Sequence, residues 1–242
     1  MHELPGSAQA AEHDFHDGIA YRVWLPDAEP PWPGIVVVHG AGSRKENHAD
    51  FARLAADFGW ATLAYDQRGH GESLGEMSPS AINDAVAMAR LLAGREEVDA
   101  DRVCVRGSSM GGFVAIHAAA VSDAIAAVIA ICPPGERMML EGLLSDPLEM
   151  QADQTALRPW LEEHDLREAV ELMGDKPLIL MHARGDEEVP FDWSQELYQR
   201  AAEPRKLVVV PGGHHRSVQH DAELQSVALR WLERNLSPRP QG

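Results

Sequence analysis

Short apolar, β-branched runs alternate along this chain with longer stretches whose apolar residues recur at helical spacing. The runs at 35–38, 61–65, 103–105, 125–132, 178–182 and 207–210 read as strands. Continuous apolar runs of this kind mark strands covered on both faces, as in a parallel sheet. Between them, residues 47–58, 79–92, 110–121, 192–202 and 217–235 carry the helical pattern, so the organisation is repeated βα. Ahead of the first run, residues 15–24 read as an antiparallel hairpin turning at Asp17-Gly18 and forming one edge of the sheet, with the Pro-rich stretch 25–34 as its exit loop.

One segment interrupts the alternation. Residues 133–176 hold no strand pattern and interpose helical stretches at 136–144 and 160–173, which reads as a cap. It carries Met138, Met139, Met150 and Met173 together with Leu140, Leu143, Leu144, Leu157, Trp160 and Leu161. Flexible thioethers and leucines suit an adaptable apolar substrate pocket, for which Met138, Met139, Leu143 and Trp160 are the candidates; such residues also pack a cap onto its body. The expected fold class is therefore α/β: a mostly parallel, doubly wound sheet with an N-terminal antiparallel hairpin and a short helical cap.

Composition narrows the class further. A chain of 242 residues suits one α/β domain, here spanning 1–242 with the cap inserted at about 133–176. No apolar run is long enough to span a bilayer and no secretory leader is visible, so a cytoplasmic location is expected. Cys104 and Cys132 each fall within a predicted strand, as small core residues of a reducing compartment would. A net charge of −17 argues against nucleic acid and anionic membrane as partners and favours a neutral or weakly charged small molecule. The oligomeric state is left open, a homodimer among the options.

Candidate chemistry centres on Gly107-Ser108-Ser109-Met110-Gly111, between the strand at 103–105 and the helix at 110–121. A G-x-S-x-G at a strand-to-helix turn is a nucleophile elbow, which strains the backbone of its central serine and lifts the hydroxyl clear of the sheet. Ser109 needs a base, and the base needs a carboxylate to orient it. Asp186 follows the strand at 178–182, and the adjacent His214 and His215 follow the strand at 207–210. Both positions lie at carboxyl ends of strands, where open α/β sheets keep their sites. Backbone N–H groups of Ala41 and Met110 are candidate oxyanion donors, with Gly40 and Gly42 allowing close approach of the backbone.

These motifs together resemble an α/β-hydrolase of the esterase, lipase and serine-aminopeptidase-like type, over nearly the whole chain. His39-Gly40-Ala41-Gly42-Ser43 resembles the family's oxyanion loop and Tyr65-Asp66-Gln67-Arg68-Gly69-His70-Gly71-Glu72-Ser73 its D-x-R-G-H-G-x-S turn. Gly185-Asp186-Glu187-Glu188-Val189-Pro190 is similar to the segment of the triad acid, and Gly212-Gly213-His214-His215-Arg216 to that of the triad histidine. The resemblance implies an α/β-hydrolase fold and a triad of Ser109, Asp186 and His215. It favours His215 over His214 by family spacing, and Asp186 over Glu187, whose longer side chain changes the distance to the imidazole. His39, Asp66 and His70 then shape loops, and His117 and His182 are packed or solvated. The expected activity is two-step acyl transfer on a small-molecule ester of short to medium acyl chain or an aryl ester, stacked on Trp160 or Trp193, with no metal or organic cofactor. An aminopeptidase or amidase would use cap carboxylates among Glu141, Asp146, Glu149, Glu162 and Glu163 to hold an amine. The same triad would also serve a thioesterase, and a non-catalytic homologue would keep the pocket to bind a small ligand.

Overall fold

The computed structural model describes residues 12–144 and 150–236. Eight strands form one sheet: β1 (Glu12–His16), β2 (Ile19–Trp24), β3 (Trp32–Val38), β4 (Ala61–Tyr65), β5 (Val98–Ser108), β6 (Ala127–Ile131), β7 (Leu178–Ala183) and β8 (Arg205–Val210). Their spatial order is β1-β2-β4-β3-β5-β6-β7-β8. The first two pairings, β1 with β2 and β2 with β4, are antiparallel, and all others are parallel. The hairpin turns where expected, with Asp17 at φ 49° and Gly18 at φ 77°, the left-handed pair that matches the twist of the flanking strands.

The unbroken apolar runs have a direct structural cause. In β3, Val36 and Val38 belong to one hydrophobic core while Ile35 and Val37 belong to a second on the opposite face. Ile129 and Ile179 divide from Val128 and Leu178 in the same way. Each face is covered. Helices α2 (Ser80–Ala93), α3 (Met110–Val121) and α7 (Phe191–Arg200) lie on one, and α1 (Ala49–Asp57) and α8 (Ala222–Leu236) on the other. Helix α3 has no polar face, because every residue from Met110 to Ala119 is buried against the sheet and its neighbouring helices.

The cap holds α4 (Glu136–Leu144), α5 (Gln154–Glu163) and α6 (Leu166–Leu172). The single helix expected over 160–173 is two. Asp165, at φ −141° and ψ 119°, accepts a hydrogen bond from the Arg167 N–H and caps a new helix, so the chain turns between α5 and α6. The last helix likewise starts later than the pattern at 217 suggests, since Asp221 Oδ1 accepts from the N–H groups of Glu223 and Leu224. The Pro-rich exit loop is shorter than expected because Trp32 already pairs with Val98.

Candidate active site

Ser109 sits between β5 and α3 at φ 52° and ψ −124°, a strained conformation for a residue with a side chain. Its surroundings enforce that turn. A Cβ on Gly107 would lie 2.0 Å from the Gly111 carbonyl oxygen, and one on Gly111 would lie 2.1 Å from that of Val38. Only glycine at both positions lets β5, the turn and α3 approach so closely. Ser109 N–H donates to Ile131 O at 2.8 Å, tying the turn to β6. Met110 then opens α3, and the N–H groups of Gly112 (2.7 Å) and Phe113 (3.1 Å) both donate to Ser109 O.

A cavity of about 510 Å³ lies over this turn, lined by Ser109, Met110, Ala41 and His215 among others. Met138 and Met139 of α4 form part of its wall. Two other expected pocket residues are elsewhere. Leu143 is buried in the core under the cap. Trp160 stacks on His164 at 4.0 Å between centroids and meets Phe113 and His117 edge-on, so its ring is spent on fixing the cap. Trp193 lies under Arg167, 5.5 Å from its guanidinium, and does not line the cavity either.

Asp186 and His215 are brought together from the loops after β7 and β8. His215 Nδ1 donates to Asp186 Oδ2 at 2.8 Å, and the carboxylate is fully buried. The other oxygen, Oδ1, accepts from the N–H groups of Glu188 (2.9 Å) and Val189 (2.8 Å). His182 lends a third kind of support: its Nε2–H faces Asp186 Oδ2 at 3.2 Å and Val189 O at 3.0 Å, while Nδ1 accepts from Ser194 Oγ at 2.7 Å. Burial opposes ionisation of Asp186, yet the hydrogen bonds from His182, His215 and Val189 outweigh it and hold the carboxyl well below its usual range. For His215, burial disfavours the charged ring, but Asp186, with Glu188 and Glu187, more than compensates and raises the pKa. Nε2 of His215 faces the cavity side, with Glu188 Oε2 3.7 Å away. His214, by contrast, is exposed, and its ring accepts only the Arg216 N–H, at 3.3 Å.

His39, in the loop after β3, and His70, in the D-x-R-G-H-G-x-S turn, are structural acceptors. His39 Nε2 accepts the Gln67 N–H at 3.0 Å, and its Nδ1–H donates to Gly40 O at 2.7 Å. Burial, with the neighbouring His70 ring, lowers the His39 pKa to about 4, so the ring is neutral at neutral pH. His70 Nε2 in turn accepts the Gly42 N–H at 3.3 Å, fixing the loop beside Ala41. Asp66 Oδ2 accepts from the buried Lys45 Nζ at 2.7 Å and from the Glu72 N–H at 2.9 Å, which locks the D-x-R-G-H-G-x-S turn onto the chain that follows β3.

Sequence reasoning missed a buried polar strut beneath the site. Arg106, fully buried in β5, stacks 4.4 Å over Phe51 and donates to Gln219 O (2.7 Å), Gln225 Oε1 (3.0 Å) and His48 Nδ1 (3.3 Å). Gln219 Oε1 also accepts the Ser108 hydroxyl. The loop carrying His215 is thereby anchored to the strand carrying Ser109. The one visible signal is a charged residue inside an otherwise apolar run, Val103-Cys104-Val105-Arg106.

Comparison with known proteins agrees with this fold. The family described as "Serine aminopeptidase, S33" matches residues 29–144. The uncharacterized protein YfhR of Escherichia coli O157:H7 is 23% identical over 87% of this chain and 74% of its own. Est1E from Butyrivibrio proteoclasticus, solved with ferulic acid bound, superposes with a TM-score of 0.76 at 23% identity, covering 93% of this chain and 99% of that one. The DcsB complex with its substrate analogue gives a TM-score of 0.79 at 18% identity, covering 95% and 100%. The fold is that of the α/β-hydrolases. Among the described residues no helix is long and apolar enough to cross a membrane.

Proposed function

We propose that this chain is a serine hydrolase of carboxylesterase type, with Ser109 as nucleophile, His215 as base and Asp186 as its orienting acid. The observation that carries the reading is the convergence of the strained Ser109 and of His215 on one cavity, with His215 held through Nδ1 by a buried, ionised Asp186. That bond places the remaining lone pair on Nε2, the nitrogen that must receive the serine proton. Ser109 Oγ then attacks the ester carbonyl, and the N–H groups of Met110 and Ala41 meet the developing oxyanion, each contributing about 3–4 kcal/mol. His215 returns its proton to the departing alcohol. Water, activated by the same base, frees the acid from Ser109.

The cavity is of a size suited to a small ester, and the methionines of α4 supply a deformable apolar wall. An aryl group would meet the thioethers of Met138 and Met139, since Trp160 and Trp193 are both committed to other packing. The aminopeptidase reading draws little support from the cap. Glu141, Glu162 and Glu163 are exposed and none lines the cavity; Asp146 and Glu149 lie outside the described residues. Two buried free thiols suit a reducing compartment such as the cytoplasm.

The test is covalent labelling with a fluorophosphonate probe beside a panel of p-nitrophenyl esters from acetate to palmitate and aminoacyl-p-nitroanilides. The expected result is labelling of the wild type, loss of the label in Ser109→Ala, and turnover confined to the shorter esters. Equal labelling of Ser109→Ala would sink the assignment of the nucleophile, and turnover of anilides alone would replace the esterase by an amidase.

A further inference from the structure

The chemistry above leaves two buried thiols unused, and one of them, Cys132, lies beside the site. Cys132 lies one residue beyond β6, at φ 46°, with its thiol buried and facing Met181 O at 3.8 Å. Burial and the negative charge of Asp186 push its pKa far up, so the free thiol is protonated and inert as a nucleophile. Yet it is not isolated. One ligand atom from each of Cys132, Asp186 and His215 lies within 4.8 Å of the others.

We propose that Cys132, Asp186 and His215 form a binding site for a soft or borderline divalent cation of the Cd²⁺ or Zn²⁺ type, and that its occupation switches off the hydrolase. The switching half rests on the proposed triad; the binding half does not. A thiolate, an imidazole and a carboxylate are the donor set such ions prefer. Among the described residues this is the one group of three such donors within reach of a common ion. Charge favours it too. A thiolate and a carboxylate together neutralise a divalent ion, so the buried complex carries no net charge, whereas either anion alone in that environment is penalised.

Binding breaks the Cys132 S–H bond and forms a metal–sulfur bond, releasing a single proton to solvent. At His215 no net proton is lost. The nitrogen beside Asp186 is Nδ1, and when it ligates the ion its proton is replaced there while Nε2 takes one up, leaving the ring neutral. In that tautomer Nε2 is a donor and can no longer accept the proton of Ser109.

The experiment titrates CdCl₂ into the wild-type protein and into Ser109→Ala, reading the ultraviolet absorbance of the cadmium–thiolate bond and the proton release. Both proteins should show the band at a single equivalent, with an affinity that rises as pH rises because a proton is displaced. Cys132→Ser and Cys132→Ala should lose the band, and Cys104→Ser should keep it. Ester hydrolysis by wild type should be inhibited by Cd²⁺ at concentrations at least roughly tenfold lower than those needed for Cys132→Ser. A band that persists in Cys132→Ser, no band in the wild type, or equal inhibition of both proteins would overturn the proposal. Should the Cys132 variants fail to fold, His215→Gln carries the test, since it leaves the thiol in place and should weaken Cd²⁺ binding at least roughly tenfold; unchanged affinity refutes the site. A wild type that binds Cd²⁺ but hydrolyses no ester would refute the esterase reading and leave the metal site standing.

Discussion

Replacing Asp186 by Asn probes the site through its hydrogen bonds alone, because the side chain keeps its size. The structure dictates how the amide must sit. Oδ1 accepts two backbone N–H groups, from Glu188 and Val189, so the amide oxygen takes that position and the NH₂ group faces His215 and His182. An N–H donor aimed at His215 Nδ1 forces that nitrogen to be the acceptor and moves the ring proton to Nε2. The base then cannot take the Ser109 proton without a rare tautomer. The expected loss in kcat/KM is about 10³–10⁴-fold, or roughly 4–5.5 kcal/mol at about 1.4 kcal/mol per tenfold change. The assay is p-nitrophenyl ester hydrolysis with the fluorophosphonate labelling rate beside it, and circular dichroism to confirm folding. Both rates should fall together, since both need activated Ser109. A folded Asp186→Asn protein that keeps more than a tenth of wild-type kcat/KM would refute the tautomer argument and the role given to Asp186.

Three further outcomes are expected. His215→Ala should lower kcat by several orders of magnitude, whereas His214→Ala, which removes an exposed ring, should leave it within about tenfold; steady-state kinetics would expose the reverse ranking. Because the His215 pKa is raised and its neutral form is the proposed base, kcat/KM should fall as pH drops through a value above the ordinary ~6.5, and Glu188→Gln, which removes a carboxylate beside Nε2, should move that limb to lower pH. Gly111→Ala should cost on the order of 3 kcal/mol or more in chemical denaturation, or prevent folding, since the added Cβ meets backbone that cannot yield; a variant as stable as wild type would contradict the close packing at the elbow.

The sheet was legible in the sequence because parallel strands covered on both faces write themselves as unbroken apolar runs, as at Ile35 to Val38, where alternate residues feed opposite cores. The loops that follow β5, β7 and β8 were legible for a related reason: strand ends locate them and glycine marks their turns. What stayed hidden depends on contacts between residues far apart in the chain. Nothing near Trp160 in sequence reveals that Phe113, His117 and His164 claim its ring. Arg106 looks like a surface residue until Gln219, Gln225 and His48 are folded around it. Cys132 has the sequence surroundings of a core residue, which its burial supports, but only the sheet places its thiol beside Asp186 and His215. Helix boundaries failed where a single aspartate competes for backbone N–H groups, as Asp165 does between α5 and α6.

The position of β8 has a consequence for how the molecule would lose its site. Among the described residues β8 is an edge strand, with β7 its one neighbour in the sheet, and all six of its residues are half-buried, whereas β7 is buried throughout. An edge strand opens at lower free energy than the centre of a sheet. Detachment of β8 carries His215 away from Asp186 while the other strands, with Ser109 on its elbow, stay paired. Mild heating or denaturant should then extinguish activity ahead of global unfolding, and amide exchange along Arg205–Val210 should track the loss, making turnover a reporter of this edge rather than of the fold as a whole.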